Sequence, residues 1–563
     1  MRIHEIEIHM GIRAVKNLEQ VCAVVLAAGD GKRMRSARPK VLCEVLFRPM
    51  ICWIADTLEK CGIGEVCAVL GAGADQVRAA IPRFAWVEQK ERLGTGHAVM
   101  QARAFLESHR GGDCAVLYGD APFVDADTLE NAYRLHKKEG AAVTLLTASF
   151  SDPTGYGRIV RGEGGDVSGI VEQADADEKT LQIREINAGT YWFSVDFLLD
   201  ALDRLRADNA QGEYYLTDVI GIAVAQGRRV CGYEAPDSRI AMGANDRRGL
   251  LRLNEMARQA ELERHMDSGV EIVCADGVMI APDVVIGQDT TILPGTILKG
   301  KTVIGKNCVI GPNTVIEDSF VGDGCCINAC QIEQSWLDER IKIGPFTHVR
   351  PNSHLKAGVK IGNFVEVKNS VIDENTAVAH LTYVGDSDVG KNVNFGCGTV
   401  TVNFDGHAKY RTVIGDDCFI GCNSNLIAPV EIGAGSYVAA GSTITDPVPD
   451  DALAIARARQ VLKPGWAKAR RLRLAGTESD CTVTCTEEGG GELELTTDGR
   501  MTLRLDKPAD ERLHLALLTD APNSAADCGD HFYIRNVERL TVLARFDAEP
   551  VQGEYEELLA RHL

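Results

Sequence analysis

Between residues 286 and 316 an aliphatic side chain returns at every sixth position: Ile286, Ile292, Leu298, Ile304, Ile310 and Ile316. A small residue follows four positions after each of the first five, at Thr290, Thr296, Thr302, Cys308 and Thr314. The same register returns as Ile414, Ile420, Leu426, Ile432, Val438 and Ile444. A period of six is the signature of a parallel β-helix, whose flat sides each turn one aliphatic side chain inward and set a small residue near the corner. Six consecutive matches, twice in phase, make chance spacing in a β-sandwich a poor alternative. Three hexads close one coil, so the span predicts roughly nine coils and, at ~4.8 Å per rung, a prism ~45 Å long. Between the two blocks the register breaks near residues 318–347, which reads as a loop-like insertion. The period alone leaves the handedness open.

Upstream the pattern is different. Short apolar runs, "VCAVVLAAG", "VCAVLGAG", "CAVLYGDAP" and "AAVTLLTASF", end in Gly, Asp or Pro and read as buried strands. "MICWIADTLEKCG" and "DADTLENAYRLHKKEG" between them read as helices, so the alternation predicts an α/β sheet over 21–247. Residues 248–268 contain Leu and Met at helical spacing and predict a connecting helix. The hexad region and its end define a β-helix domain over 269–463. Beyond it, "GELELTTDGRMTLRLD" alternates around Asp498-Gly499 and predicts a hairpin. With the strand-like runs "ERLHLALL" and "ERLTVLARF" and a helix at "EYEELLARHL", residues 464–563 read as a β-rich extension of unassigned role. Residues 1–20 form an N-terminal extension.

Composition narrows the partners. The 563 residues carry 80 acidic and 60 basic side chains, a net charge of −20, which argues against a general nucleic-acid binder. A polyanionic ligand must then meet a local basic cluster. The N-terminus has no apolar core of a secretory signal, and no run of about 18 apolar residues predicts a membrane span. The 18 cysteines are scattered through apolar segments and read as reduced cytoplasmic thiols. "CCINAC" and "CTVTC" lack the partner pair that a zinc site needs.

The basic cluster is "VVLAAGDGKRMRSARPK", residues 24–40. Gly29 and Gly31 let backbone approach a ligand closely, and exposed N–H groups in such a loop form an anion site. Arg33 and Lys40 add charge that can stabilise a departing pyrophosphate. The spacing matches neither GxGxxG nor the GxxxxGKS phosphate loop.

"LAAGDGKRMRSARPK" resembles the signature of sugar-phosphate nucleotidylyltransferases. The companions "QKERLGTGHA", "LYGDAP", "DPTGYGRIV", "EINAGTYWF" and "QGEYYLTDVI", with "HVRPNSHLKAGVKIGNFVEVKNS" and "AHLTYVGDSDVGKNVNFGCGTVTVNFDG" in the hexad region, narrow the likeness. Over roughly residues 18–463 the chain resembles the bifunctional bacterial enzymes that acetylate glucosamine 1-phosphate and then uridylylate the product to UDP-N-acetylglucosamine, a cell-wall precursor. The resemblance implies a Rossmann-like nucleotidyltransferase domain, a left-handed β-helix and a cytoplasmic homotrimer, with no nucleic-acid or membrane partner.

It also implies roles. Leu26, Ala27, Ala28 and Gly29 would hold uracil and ribose, with Gln89, Gly94 and Thr95 at the base edge. Tyr118, Gly119 and Asp120 would close the nucleotide site, and Gly157, Glu172 and Asn187 would hold the sugar. Asp120 and Asn245 would ligate Mg²⁺, with Arg33 and Lys40 neutralising phosphate charge. In the β-helix His380 would be the general base. Arg350, Lys368, Tyr383 and Asn394 would bind the sugar phosphate. Cys397, Asn403, Phe404, Cys422, Ala440 and Arg457 fall on the substrate and acetyl-CoA positions. Phe404 stands where the family often has Tyr, and Cys397 and Cys422 can replace Ala and Ser. Direct acetyl transfer is expected rather than an acyl-cysteine. Two other readings are a single-function sugar nucleotidylyltransferase with a structural β-helix, and a non-catalytic assembly subunit. The set of His380, Lys368 and Arg350 opposes the first, and Arg33, Lys40, Asp120 and Asn245 oppose the second.

Overall fold

The computed structural model describes residues 21–29, 31–474, 481–484, 491–495, 501–505 and 516–519. The apolar runs of the first part form a nine-stranded sheet. Its main path runs Val230–Glu234, Val143–Ser149, Glu185–Ser194, Asp113–Tyr118, Val21–Ala27, Glu65–Leu70 and Ala85–Glu88. Val21–Ala27 is parallel to its neighbours on both sides, whereas Glu185–Ser194 is antiparallel to both of its own. Every residue of Val21–Ala27 is buried, because helices cover both faces; hence its unbroken apolar run. The chain leaves this central strand and returns on either side of it. Loops after Ala27 and Tyr118 therefore open a crevice at the switch point of the sheet.

The helix Arg247–Asp267 starts where Asp246 Oδ1 accepts from Gly249 N at 2.7 Å. In its last turn His265 is 1% exposed, and burial, reinforced by Arg264, holds its pKa down at about 4. The folded chain thus refuses a proton that the unfolded chain takes up near pH 6.5. The stability is fully present above that value and lost as pH falls through about 4, a loss of up to about 3 kcal/mol. Urea unfolding of His265→Gln should show a correspondingly shallower fall in midpoint between pH 6.5 and 4. An unchanged slope would remove His265 from that role.

From Glu271 to Ala454 the chain winds as a parallel β-helix with sheets of 11, 10 and 9 strands. The hexad aliphatics, Ile292, Leu298, Ile304, Ile310 and Ile316 among them, fill the interior at 0–1% exposure. The small positions are polar for a reason. Thr290 Oγ1 donates to Gly305 O at 2.8 Å and accepts from Cys308 N at 3.0 Å, so it satisfies backbone at an inward corner.

The expected loop near 318–347 is absent. Phe320–Val321, Cys326–Ile327, Gln331–Glu333, Trp336–Leu337 and Lys342–Ile343 continue the three sheets. The inward series runs on as Val321, Ile327, Ile332, Leu337 and Ile343. Corners one residue shorter mix steps of five, as from Ile316 to Val321 and from Ile327 to Ile332, with steps of six, and hide the period. The real insertion is the exposed stretch 404–411, between strands Val400–Val402 and Thr412–Ile414.

A second unit, Ala458–Leu563, contains a helix Trp466–Leu474. Gly491–Leu495 pairs antiparallel with Met501–Leu505, as the Asp498-Gly499 signal predicts, and Cys481–Thr484 pairs with Ala516–Thr519. The expected extension 1–20, the run "ERLTVLARF" and the helix at "EYEELLARHL" lie outside the described residues. Among the described residues, no helix is long and apolar enough to cross a membrane.

Candidate active sites

The crevice of the sheet is built from close backbone approaches. A Cβ on Gly71 would lie 2.5 Å from Ala28 O, and one on Gly31 would lie 2.8 Å from Lys40 Cβ. Gly31 also sits at φ 55, so this turn tolerates little else. Met34 is buried and pins the short turn Lys32–Met34, leaving Arg33 exposed beside it. Lys40 opens the next turn, Lys40–Leu42, with its side chain only 12% exposed. Its Nζ is ion-paired with Asp120 and donates to Asn245 Oδ1 at 2.8 Å. Three residues from distant segments thus meet at one point, and the structure leaves Arg33 outside that contact.

One wall of the crevice carries Gln89, whose Nε2 donates to Gly94 O at 3.1 Å and lies 3.1 Å from His97 Nδ1. Gly94, at φ 106, precedes the helix Thr95–Gln101. Thr95 Oγ1 accepts from Leu216 N at 3.1 Å. Gly119 N donates to Leu26 O at 2.9 Å, and Arg92 Nε donates to Ala28 O at 3.0 Å, fixing the loop from both sides.

The other wall centres on Glu172. Burial, together with the charges of Asp175 and Asp218, raises its carboxyl above the usual range against a lowering hydrogen bond from Thr217 Oγ1 at 3.1 Å. Gly157 faces this carboxyl: a Cβ there would sit 3.2 Å from Glu172 Oε2. Asn187 N donates to Gly157 O at 2.9 Å, and Asn187 Nδ2 donates to the Tyr191 hydroxyl at 2.6 Å. Tyr118 hydrogen-bonds with both Tyr191 and Thr95, and burial pushes its phenol upward. A chain of contacts, Asn187–Tyr191–Tyr118–Thr95, therefore joins the two walls. His97, Arg92, Tyr191 and Thr217 were not legible as site residues, because their roles depend on pairing across strands.

The second cluster lies at a corner of the β-helix. Asn363 and His380 are register partners on adjacent rungs, and His380 Nδ1 lies 2.8 Å from Asn363 Oδ1. Extending the pairings Val378↔Phe395, Ile361↔Val378 and Phe395↔Ile420 by two residues places Cys397 and Cys422 on the next two rungs. The same extension from Ile420↔Val438 brings Ala440 after them. Asn363, His380, Cys397, Cys422 and Ala440 therefore form one column. Each immediately precedes a corner residue at positive φ: Phe364, Leu381, Gly398, Asn423 and Gly441.

At the far end of the sheet that follows this corner, Lys368 pairs with Gly385, and Arg350 occupies the equivalent rung one coil earlier, next to Val349↔Val367. Arg350 Nη1 is bonded to Glu366 Oε1 at 2.8 Å. Lys409, from the 404–411 insertion, lies against Lys368. This contact, with partial desolvation and the nearby Arg350, holds Lys368 below the usual lysine range. Three crowded cations make a receptor for an anion. Asn403 is 8% exposed and donates from Nδ2 both to Asp386 and, at 3.3 Å, to the Tyr383 hydroxyl. Phe404 is 56% exposed on the insertion. Asn394 stands three residues before Cys397 in its strand, in register with Ala377 rather than with His380, and Arg457 is exposed at the end of the coils. Those two lie apart from the imidazole within one chain. Glu366, Asn363, Asp386 and Lys409 complete the cluster and were missed from sequence.

Three family profiles match: a MobA-like NTP transferase domain over residues 23–210, an EIF2B subunit epsilon LbH domain over 264–367, and bacterial transferase hexapeptide (six repeats) over 411–446. A "Bifunctional protein GlmU" of Clostridium acetobutylicum is 45% identical over 453 residues, covering 80% of this chain and 99% of that protein. Its namesake in Caldicellulosiruptor saccharolyticus is 48% identical, covering 80% of this chain and 97% of its own. That of Caldanaerobacter subterraneus subsp. tengcongensis is 48% identical over 454 residues, with 80% and 99% covered.

Proposed function

The chain belongs to the family of bifunctional GlmU proteins, and from that premise we propose how its residues divide two reactions. It is a bifunctional transferase with an α/β nucleotidyltransferase domain and a left-handed β-helix. Acetyl-CoA acetylates glucosamine 1-phosphate, and UTP then uridylylates the product to UDP-N-acetylglucosamine with release of pyrophosphate. The observation that carries the assignment of residues is the presence of two unlike clusters. One is an ammonium held between a carboxylate and an amide at Lys40, Asp120 and Asn245; the other pairs an imidazole held by Asn363 with a group of three cations at the far end of the following sheet.

In the sheet crevice, Gln89, Gly94 and Thr95 read the uracil, and Leu26 to Gly29 lie under the nucleotide. Gly157, Glu172 and Asn187 hold the sugar, the bare Gly157 leaving room beside the Glu172 carboxyl. Tyr118, hydrogen-bonded towards both walls, keeps them in register, so the sugar-phosphate oxygen is aligned on the α-phosphorus of UTP. Arg33 and Lys40 neutralise the triphosphate as pyrophosphate leaves. The Lys40 ammonium lies between the oxygens of Asp120 and Asn245, two hard donors, and this supports the reading that the pair would hold Mg²⁺. When bound, that ion supplies additional charge to stabilise phosphate oxygens.

On the β-helix, Arg350, Lys368 and Lys409 hold the phosphate of glucosamine 1-phosphate, and Tyr383, Asn394 and Asn403 its sugar. His380 takes the proton as the amine attacks the thioester. Phe404, Cys397, Cys422, Ala440 and Arg457 line the acetyl-CoA side. The protein works in the cytoplasm, where its reduced thiols persist. Purified chain supplied with UTP, glucosamine 1-phosphate, acetyl-CoA and Mg²⁺ should form UDP-N-acetylglucosamine; failure at either half-reaction identifies which cluster is misassigned.

The assembly is a homotrimer. Phe346, Phe364 and Leu381 occupy successive corners at φ 59, 56 and 45 and are 63%, 53% and 58% exposed. Left-handed backbone is costly for large side chains, and many other corners use Asn, Asp or Gly, as at Asn313, Asp318, Asn423 and Gly398. The two rings stack at 5.3 Å beside a groove of 690 Å³ lined by Gln331, His348, Glu366 and Tyr383. Burial against another copy offsets that cost. The double variant Phe346→Asp/Phe364→Asp should sediment as a monomer, lose acetyl transfer and keep uridylyl transfer. A variant still trimeric would move the interface elsewhere.

A further inference from the structure

We propose that Cys397 and Cys422 form a reversible thiol–disulfide site in the acetyl-transfer cleft, one that reacts with the disulfide of coenzyme A. The site rests on the reading of the coil corner as the acetyl-transfer cleft.

Register carries the first part of the inference. Phe395 pairs with Ile420, so two residues further on Cys397 faces Cys422 on the adjoining rung. Asn423 N donates to Cys397 O at 2.7 Å and Gly441 N to Cys422 O at 2.8 Å, which confirms that both cysteines hold the same corner position. Adjoining rungs lie ~4.8 Å apart, inside the Cα separation of ~4.4–6.8 Å that a disulfide spans.

Exposure carries the second. Cys308, Cys325, Cys330 and Cys418 of the same coils are buried, as inward small residues are. Cys422 is exposed and Cys397 half-buried. Cys326 is also exposed, but its rung partners are Val309 and Lys342, so it has no second thiol beside it. Packing alone does not ask for sulfur in this column, since Ala440 fills the next rung with a methyl group.

Chemistry carries the third. His380 stands one rung before Cys397, where a neutral imidazole can accept the thiol proton and leave a nucleophilic thiolate. The thiolate of Cys397 attacks one sulfur of coenzyme A disulfide, forming a mixed disulfide and releasing one coenzyme A, which takes up a proton. The Cys422 thiol then attacks the protein sulfur of that mixed disulfide. The Cys397–Cys422 bond forms, and the second coenzyme A leaves with the Cys422 proton. Two protein thiols are oxidised and one disulfide is reduced to two coenzyme A thiols. A closed bridge beside His380 blocks the thioester from its place.

The test uses the full reduced chain in parallel arms with coenzyme A disulfide and glutathione disulfide, followed by intact mass, peptide mapping and both activities. Coenzyme A disulfide should remove two hydrogens, map a Cys397–Cys422 peptide and lower acetyl transfer by about tenfold or more, with uridylyl transfer unchanged and dithiothreitol restoring the loss. Cys422→Ser, compared with its own reduced state, should stop at one coenzyme A adduct on Cys397; Cys397→Ser should form no bridge. Glutathione disulfide should act more slowly, and equal rates in the two arms would overturn recognition of coenzyme A. Absence of the mapped bridge, or the same loss of acetyl transfer in both variants, overturns the site. Mapping needs no activity, and the untreated reduced chain reports acetyl transfer by itself. Failure of this site is therefore distinguishable from failure of the functional reading.

Discussion

Asp120→Ala is expected to lower uridylyl transfer by about 10²–10³-fold or more, the scale of losing one group that organises charge in a transition state. Acetylation of glucosamine 1-phosphate should continue at the parent rate. Among the described residues, the Asp120 carboxylate is the anion ion-paired with the Lys40 ammonium, and Asn245 contributes a neutral oxygen at 2.8 Å. Its removal takes the carboxylate away from Lys40 and takes away one of the two oxygen donors proposed for Mg²⁺. Asp120→Asn keeps an oxygen but not the charge, so it should fall between the parent and the Ala variant. Raising Mg²⁺ should recover part of the Asn variant and little of the Ala variant. The side chain of Asp120 is 25% exposed, and it contributes nothing to either core face of the sheet, so thermal stability should hold. A folded Asp120→Ala enzyme with undiminished uridylyl transfer would remove the residue from the site.

The two halves of the fold were legible to different depths. The period of six survives in sequence because each coil repeats one inward aliphatic, and Ile292 to Ile316 are buried as that period demands. It fails between 318 and 347 because shorter corners change the spacing without changing what points inward; Ile327 and Ile332 are as buried as Ile310. A reader of spacing sees a gap where the backbone has none. The α/β part reads well where strands are covered on both faces, as for Val21–Ala27, and poorly for Glu185–Ser194, whose antiparallel placement is a matter of topology.

Site chemistry shows the same divide. Motifs mark residues that touch a ligand, but not those that hold them. Asn363 lies in "GNFVE" with nothing to single it out until register sets it against His380. Lys409 sits in an insertion, and only the folded loop brings it to Lys368. Tyr191 reads as a core aromatic and is one, at 0% exposure, yet its hydroxyl joins Asn187 to Tyr118. The column of His380, Cys397 and Cys422 is the clearest case. The extra residues of the 404–411 insertion separate the two cysteines in sequence, and only the pairing of Phe395 with Ile420 restores them to neighbouring rungs.

His380→Ala should cut acetyl transfer by ~10²–10⁴-fold, the usual worth of general-base assistance. Uridylyl transfer should remain intact when N-acetylglucosamine 1-phosphate is supplied. The geometry says why one residue bears so much. An amide oxygen can only accept, so Asn363 Oδ1, 2.8 Å from His380 Nδ1, keeps the proton on that nitrogen. The lone pair of Nε2 is then the one available to the attacking amine, and the imidazolium that forms stays hydrogen-bonded to Asn363. On the proposed reading, an ammonium substrate bound through Arg350, Lys368 and Lys409 must lose a proton in a cationic setting, which makes a positioned base more valuable than bulk water. Because His380 is exposed at its corner, its loss should leave the coil intact and the melting temperature close to that of the parent. If a folded His380→Ala chain lost both reactions equally, the two clusters would be parts of one site, and the division of labour drawn here would be wrong.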